Sequence, residues 1–433
     1  MNRKVRFTFF VAGACFVFGL LHLPTAATSG ERSITVAFTG WIAMEGGAKI
    51  KAWHNMVNGF EAKYPDVKIK YEGIGYEDTV KKLMVMAVAG NPPDVAQITS
   101  QWTWQFAAMG ALEPLDDYIS QDYLADCAWG KSALIDPGKC EDKLYSAVWV
   151  AAPTALGWNK PVFRMAGLDP EKGPKNWLEM EQMAVKIGQS GLKEIYGFGQ
   201  DTSLNTYAGL NTILWLWAYG GRFVDNQGNV VLSSSENAKA LTRLHEISTI
   251  GNTIAKGISI RETRDLFAHD RLGMYQDHTC MKGQWRNVSG KGAAVDHNYG
   301  VTLMPASPVT GKSETFVQNH ALCMFKQSKV KKIAADLINF LVSDPEITAM
   351  YHRLFGQLPP GKSLLETSEY ADPYSQNFAD QLKTAKPLPV THPMFLSAMV
   401  FLARAQQYIV LQGMDAQKVL KSTEADIKII YGQ

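Results

Sequence analysis

Residues Phe60–Glu72 read FEAKYPDVKIKYE, and this stretch holds the change of period that decides the fold. Upstream of it Ile50, Trp53, Val57, Phe60 and Tyr64 recur at three- and four-residue steps, one apolar face of an amphipathic helix. Pro65 stops that helix, and Val67, Ile69 and Tyr71 then alternate as a strand does. The same style continues on both sides. Ser33–Thr39 alternates around Ile34, Val36 and Phe38 as a preceding strand. A second helix is expected over Tyr76–Ala89, ended by Gly90-Asn91-Pro92-Pro93, and Asp94–Ile98 reads as a short buried strand. Strand, helix, strand, helix, strand implies right-handed crossovers and a mainly parallel sheet, so the class is α/β.

The 433 residues exceed one ordinary domain and suit two of roughly 150–200 residues. A second unit of the same kind is expected from about residue 155 to 300. Its helical patterns run through Trp177–Ile187, Tyr207–Tyr219 and Glu236–Thr249, and Tyr299–Met304 alternates as a strand. Ala321–Phe325 (strand), Lys329–Leu341 and Pro345–Leu354 (helices) return to the earlier style; Pro393–Leu411 and Ala416–Ile430 are expected as the last helices. No repeat and no low-complexity tether separates the units, so they are interleaved.

The N-terminus carries an address. Arg3, Lys4 and Arg6 precede an apolar run from Phe7 to Leu23, then Pro24-Thr25-Ala26-Ala27-Thr28, the order of a secretory signal peptide over residues 1–27. Gly13, Gly19 and His22 interrupt the run and argue against an uncleaved anchor. Cys15 follows Ala12-Gly13-Ala14, which is similar to a lipoprotein box, yet a further apolar stretch follows it and argues against a lipid anchor. The formal charge of +2 points to no nucleic-acid partner. After export the environment oxidises, so Cys127 and Cys140, flanking Ile135-Asp136-Pro137-Gly138, are expected as a disulfide worth roughly 3 kcal/mol. Cys280 and Cys323 are expected as free, buried thiols. No CxxC or Cys/His cluster makes a case for a metal.

Six segments together resemble one family. These are FEAKYPDVKIKYE, AVAGNPPDVAQI (Ala87–Ile98), AAMGALEPLDDYI (Ala107–Ile119), LGWNKPVFRMAGLDPEKGPKNWLEM (Leu156–Met180), LMPASPVTGKS (Leu303–Ser313) and AADLINFLVSDPEITAMY (Ala334–Tyr351). In order and spacing they resemble the extracellular solute-binding proteins of ABC sugar importers, the maltose-, multiple-sugar- and glycerol-phosphate-binding relatives. The resemblance implies a two-lobed, type II-like periplasmic binding fold with the ligand cleft between lobes and closure by hinge motion. It assigns residues 28–150 and 315–362 to the N-terminal lobe, and 151–314 and 363–433 to the C-terminal lobe. Crossings fall near Trp149–Thr154, Pro305–Phe316 and Pro360–Leu365. It implies a periplasmic monomer that takes a carbohydrate to permease subunits, without catalytic residues or cofactor.

A sugar site needs flat aromatic faces and planar amides or carboxylates. Trp41 and Glu45 follow the first strand in a glycine-rich loop, the end at which open α/β sheets bind ligands. A sheet-capping Trp and a solvated Glu fit them as well. Gln101 and Trp102 follow the third strand. Asn205 and Tyr207 precede a helix at a position that looks cleft-facing in the relatives; Trp215 and Trp217 within it read as core. In MYQDHTCMKGQWRN (Met274–Asn287) a strand ends at Asp277, and Trp285 resembles the family's ligand-stacking Trp. Gln318 and Asn319 precede a strand and complete the expected set. Asp277 fits a loop cap equally, and Gln318-Asn319 a polar hairpin. Two rivals stand beside a sugar: an anionic ligand such as glycerol phosphate or a sugar acid, and a secreted glycosidase using carboxylates such as Glu45 and Asp277. Gly356–Ser363 matches a phosphate-loop pattern, but Pro359 and Pro360 remove the amides such a loop needs.

Overall fold

The structure is a computed structural model that describes residues 32–39, 48–390 and 392–433. The leader, Cys15, Trp41 and Glu45 lie outside the described residues.

Two five-stranded sheets organise the chain. The first contains β1 (Arg32–Thr39), β2 (Val67–Ile74), β3 (Val95–Thr99), β4 (Ser146–Val150) and, from far along the chain, β10 (His320–Met324), in the order β2-β1-β3-β10-β4. The second contains β5 (Ala155–Asn159), β6 (Tyr196–Asp201), β7 (Ile254–Ile258), β8 (Leu272–Asp277) and β9 (Tyr299–Thr302), in the order β9-β5-β8-β6-β7. The chain is a two-lobed α/β protein, as its sequence implies.

Each sheet is mixed rather than mainly parallel. β1 runs parallel to β2 and β3, while β10 is antiparallel to β3 and β4. In the second sheet β8–β6 and β6–β7 are parallel, and β5 is antiparallel to β8 and β9. The reason is the route of the chain. Crossover helices return β1, β2 and β3 in one direction, whereas β5 and β10 enter their sheets from the other lobe and arrive reversed.

The quoted stretch folds as its periods demand. Trp53, Met56, Val57 and Phe60 of the helix Ala48–Lys63 pack into the core of the first lobe with Ile34, Val36 and Val67. The second lobe is built around the helix Thr206–Ala218, whose residues from Ala208 onward are all buried, against the helix Phe395–Gln406. Gly209 is required there: a Cβ would lie 2.0 Å from the carbonyl oxygen of Met399. The expected single helix to Leu411 ends at Gln406 and continues as a π turn over Gln407–Leu411.

Backbone hydrogen bonds tie the connecting segments side by side. Ala151 bridges Leu358, Pro153 bridges Val317, and the amide of Gln318 donates to the carbonyl of Ala152 at 2.9 Å.

The phosphate-loop pattern is a helix end. Gly356 caps the helix Pro345–Phe355 in the left-handed region (φ +70°), and the amide of Ser363 donates to Asp126. A carboxylate of the chain's own takes those donors.

Candidate functional site

The C-terminal ends of β3 and β8 and the start of β10 carry the polar residues of interest. Thr99 at the end of β3 pairs with His320 at the start of β10. β8 ends at Asp277, and two residues later the hydroxyl of Thr279 meets Gln357 and lies 3.5 Å from the carbonyl oxygen of Ala151. The end of β8 is thereby fixed against Gln357, just past the helix Pro345–Phe355, and against Ala151, in the segment that joins β4 to β5.

Asp277 is fully buried and Arg264 explains how. Its guanidinium reaches across from the helix Ile260–Ala268, with Nε 2.7 Å from Oδ2 and Nη2 3.1 Å from Oδ1. Tyr207 donates its hydroxyl to Oδ1 at 3.1 Å, and the amide of His278 donates at 2.9 Å. Burial would raise the Asp277 pKa, but Arg264 and then His278 outweigh it and hold the carboxyl below its usual range. Burial pushes His278 down, and Arg264 adds to this against the pull of Asp277. The Cys280 thiol is pushed up to about 12, by burial first and by Asp277 second.

Asp277, His278 and Cys280 place one donor atom each within 4.8 Å of one another, the donor set of a transition-metal site. Arg264 already fills the place of a cation: Nη2 contacts both Oδ1 of Asp277 and, at 3.5 Å, the Cys280 sulfur. The arrangement is a buried ion pair with a thiol beside it.

The expected ligand residues fall into two groups. Gln101, Tyr207, Asp277 and Gln318 stand at the strand ends or on groups bonded to them. Trp102 is buried there as well, packed on Tyr76 with ring centroids 5.2 Å apart. Asn205 and Asn319 have their amides committed elsewhere. Asn205 caps its helix by accepting from the amide of Ala208 and donates to Ser203. Asn319 is a structural clamp: Oδ1 accepts from the amide of Ala152 at 3.0 Å, and Nδ2 donates to the carbonyl of Ala133 at 2.6 Å.

Trp285 corrects the expectation placed on it. It is 3 % exposed, donates its indole N–H to the Tyr275 hydroxyl, and packs on Phe267, Tyr299 and Tyr374. The glycine before it in sequence suggests a loop, yet Met281–Val288 is helical and its apolar side, Met281 and Trp285, faces inward.

The expected disulfide is also corrected. Cys127 and Cys140 are free, the first fully buried in the core, the second half-buried in a two-residue strand, Lys139–Cys140. Cys127 closes a helix against β4, where Tyr123, bonded to the carbonyl of Val148, keeps it company. Cys280 and Cys323 are free and buried.

Buried polar atoms without a hydrogen-bond partner occur on and beside β3, β8 and β10, as they also do at Asn237, Asn377 and Gln406. On and beside these strands they are Oε1 of Gln97, Oγ1 of Thr99, Oε1 of Gln101 and Nε2 of Gln318 in the first lobe, and Oε1 of Gln276 and Nδ1 of His278 in the second. Gln276 cannot turn its amide round to cure this, because Nε2 already donates to Oδ1 and the carbonyl oxygen of Asn211. Buried amides left unbonded cost roughly 1–3 kcal/mol each, and the ones named here come from both sheets, which makes this place the candidate for a partner. Sequence reading missed Gln97, Thr99, Gln276, His278 and Arg264. Gln276 and His278 carried a usable signal, their places on either side of Asp277 at a strand end.

Comparison with known proteins names the class. The profile of the family described as bacterial extracellular solute-binding protein matches residues 55–377, and the chain belongs to that family. A putative binding protein of Brucella abortus is 26 % identical over 371 residues, covering 83 % of this chain and 84 % of the relative. The sn-glycerol-3-phosphate-binding periplasmic protein UgpB of Escherichia coli K12 is 25 % identical over 391 residues, 86 % of each chain. Among solved structures, maltose-bound MalE3 of T. maritima superposes with a TM-score of 0.78 at 20 % identity, covering 92 % of this chain and 99 % of that one. A tagatose-bound ABC transporter solute-binding protein of Thermotoga lettingae gives 0.77 at 21 %, covering 92 % and 100 %. No helix among the described residues is long and apolar enough to cross a membrane.

Proposed function

We propose that this chain is the exported receptor of an ABC importer, which captures a sugar between its lobes in the periplasm and hands it to the permease as a monomer. The observation that carries the reading is the set of unbonded amides and hydroxyls at the strand ends of both lobes. A sugar's hydroxyls donate and accept, and a ligand held between the lobes would satisfy both halves of that set at once. Ligand binding would then stabilise the closed arrangement by its differential contacts. The sugar-bound neighbours support the reading through their shared fold. Among the expected residues, Gln101, Trp102 and Gln318 are the proposed contacts in the first lobe and Tyr207 in the second; Trp41 and Glu45 remain proposed for the loop after β1.

The glycosidase alternative loses its second carboxylate. Asp277 is fully buried and its carboxylate is held by Arg264, Tyr207 and the His278 amide, the commitments of a structural ion pair rather than of a free catalytic acid or base. Calorimetric titration with neutral mono- and oligosaccharides, followed by an assay for new reducing ends, tests the proposal. Saturable one-to-one binding without new reducing ends supports it; turnover of any bound sugar overturns it.

A further inference from the structure

A second recess lies at the C-terminal end of the helix Thr206–Ala218. Trp217 from that helix, Arg222 and Phe223 from the turn after it, and the segment Lys386–Pro389 line a groove of about 280 Å³. Pockets for drug-sized ligands run to roughly 300–1,000 Å³, so this one suits a body of about one ring. Trp217 and Tyr207 stand at opposite ends of the same helix, roughly 15 Å apart along its axis, which separates the groove from the strand ends.

The groove is held in shape without an occupant. The rings of Pro387 and Pro389 stiffen one wall. The start of that wall is pinned as well, because Ala385–Lys386 pairs in parallel with Thr315–Phe316. On the other wall Nδ2 of Asn237 donates to the carbonyl of Arg222 at 2.8 Å. Both cations of the groove, Arg222 and Lys386, thus stand on fixed backbone, which lowers the ordering cost of binding.

Its charges do not balance. Lys386 pairs with Glu314 and lies over the Trp217 ring, 5.8 Å from the centroid. Glu314 is 8 % exposed; its Oε2 has no hydrogen bond, and Nη2 of Arg222 stands 3.5 Å from it. Arg222 spends Nη1 on the carbonyl of Gly221 at 2.7 Å and makes no hydrogen bond to a side chain among the described residues. One buried carboxylate therefore serves two half-exposed cations. Asp225, in the same turn, folds its carboxylate back onto the amides of Gln227 and Asn229. Apolar walls under an excess of positive charge complement a flat apolar body that carries an anion, and the Arg222 fork matches a carboxylate.

We propose that this groove is an accessory site for a small aryl carboxylate, held by Arg222 and Lys386, with Glu314 as its internal competitor. The inference is independent of the sugar reading.

The experiment is calorimetry of the mature chain with three probes that share one ring: phenylacetate, phenylacetamide and phenethylamine. Phenylacetate should bind saturably, one per chain, about fivefold or more tighter than the neutral amide, with the amine weakest. Added salt should weaken the acid alone. Arg222→Gln should erase the acid's advantage. Glu314→Gln removes the competitor and should tighten phenylacetate by about threefold or more. Absence of saturable phenylacetate binding, or equal binding of acid and amide, overturns the site. Unchanged phenylacetate affinity in Arg222→Gln places the acid elsewhere and overturns it too. An unchanged or weakened affinity in folded Glu314→Gln overturns the competition; should that variant fail to fold, Arg222→Gln, whose side chain is half-exposed, decides alone.

Discussion

Trp285 and Tyr275 are joined by an indole N–H to hydroxyl hydrogen bond of 2.8 Å, closed off from solvent by Phe267 and Tyr299. Ten residues apart in sequence, they connect the helix Met281–Val288 to β8, the strand that ends in Asp277. Trp285→Ala therefore removes a core side chain. Stability should fall by about 3–5 kcal/mol, with calorimetric affinity changing only through the smaller folded fraction. A variant that melts with the unaltered chain but binds its sugar far more weakly would return Trp285 to the ligand.

The opposite pattern is expected of Gln101→Leu. Its Oε1 is buried and unbonded without ligand, so the variant gains stability or leaves it unchanged, while losing a bond to the sugar. Affinity should drop about tenfold. Unaltered affinity in this variant would remove Gln101 from the site.

Four thiols are expected for residues 32–433. Denatured, unreduced protein should titrate Cys127, Cys140, Cys280 and Cys323; in the native state Cys140, half-buried where the others are buried, should react first. Burial pushes Cys127, Cys280 and Cys323 up to about 12, which leaves little thiolate to react. Two thiols instead of four would restore the Cys127–Cys140 bridge.

Acid should destabilise the fold earlier than carboxylate protonation requires. Burial first, and His278 second, lower His320 to about 3; His352 is lowered by burial as well. A histidine depressed in the folded state contributes stability present above its unfolded value, near 6.5, and lost as pH falls from there toward the folded value. At pH 5 the His320 contribution alone amounts to roughly 2 kcal/mol lost. Thermal melts between pH 7.5 and 4.5 should show a falling midpoint that His320→Gln flattens. A midpoint that holds steady down to pH 4.5 would contradict this.

The parts of the fold written in local periodicity were legible, and the parts set by burial on both faces were not. Val67 and Ile69 alternate with exposed Lys68 and Lys70 because one face of β2 meets solvent there, although Tyr71, next in the pattern, is exposed too. β4, Ser146–Val150, is buried at every position and has no alternation to read. The site divides on a different line. Asp277 and Gln101 could be found because strand ends can be counted from sequence. Arg264 could not, since its partner lies 13 residues away on the far side of a strand, and nothing local distinguishes it from Arg261, the other basic residue of its helix. The aromatic signal misled for a physical reason: a Trp after a strand looks the same whether its helix turns it outward or, as with Trp285, inward.

Thr279 should be felt in the motion of the lobes. Its hydroxyl reaches Gln357 and lies 3.5 Å from the carbonyl oxygen of Ala151, in the segment that joins β4 to β5, and its carbonyl accepts from Tyr374 at 2.7 Å. Thr279→Val should shift the balance of open and closed forms, read as a changed radius of gyration without ligand, and Thr279→Ser should restore it. Identical scattering from all three chains would show that this contact does not hold the lobes.

The central claim is tested most directly by native mass spectrometry of the mature chain after incubation with an equimolar mixture of neutral mono- and oligosaccharides. The expected result is one retained adduct, at one sugar per chain, whose mass matches an intact member of the mixture and is lost on denaturation. No retained sugar at saturating concentrations, or recovery of the sugar as cleaved fragments, would contradict the account.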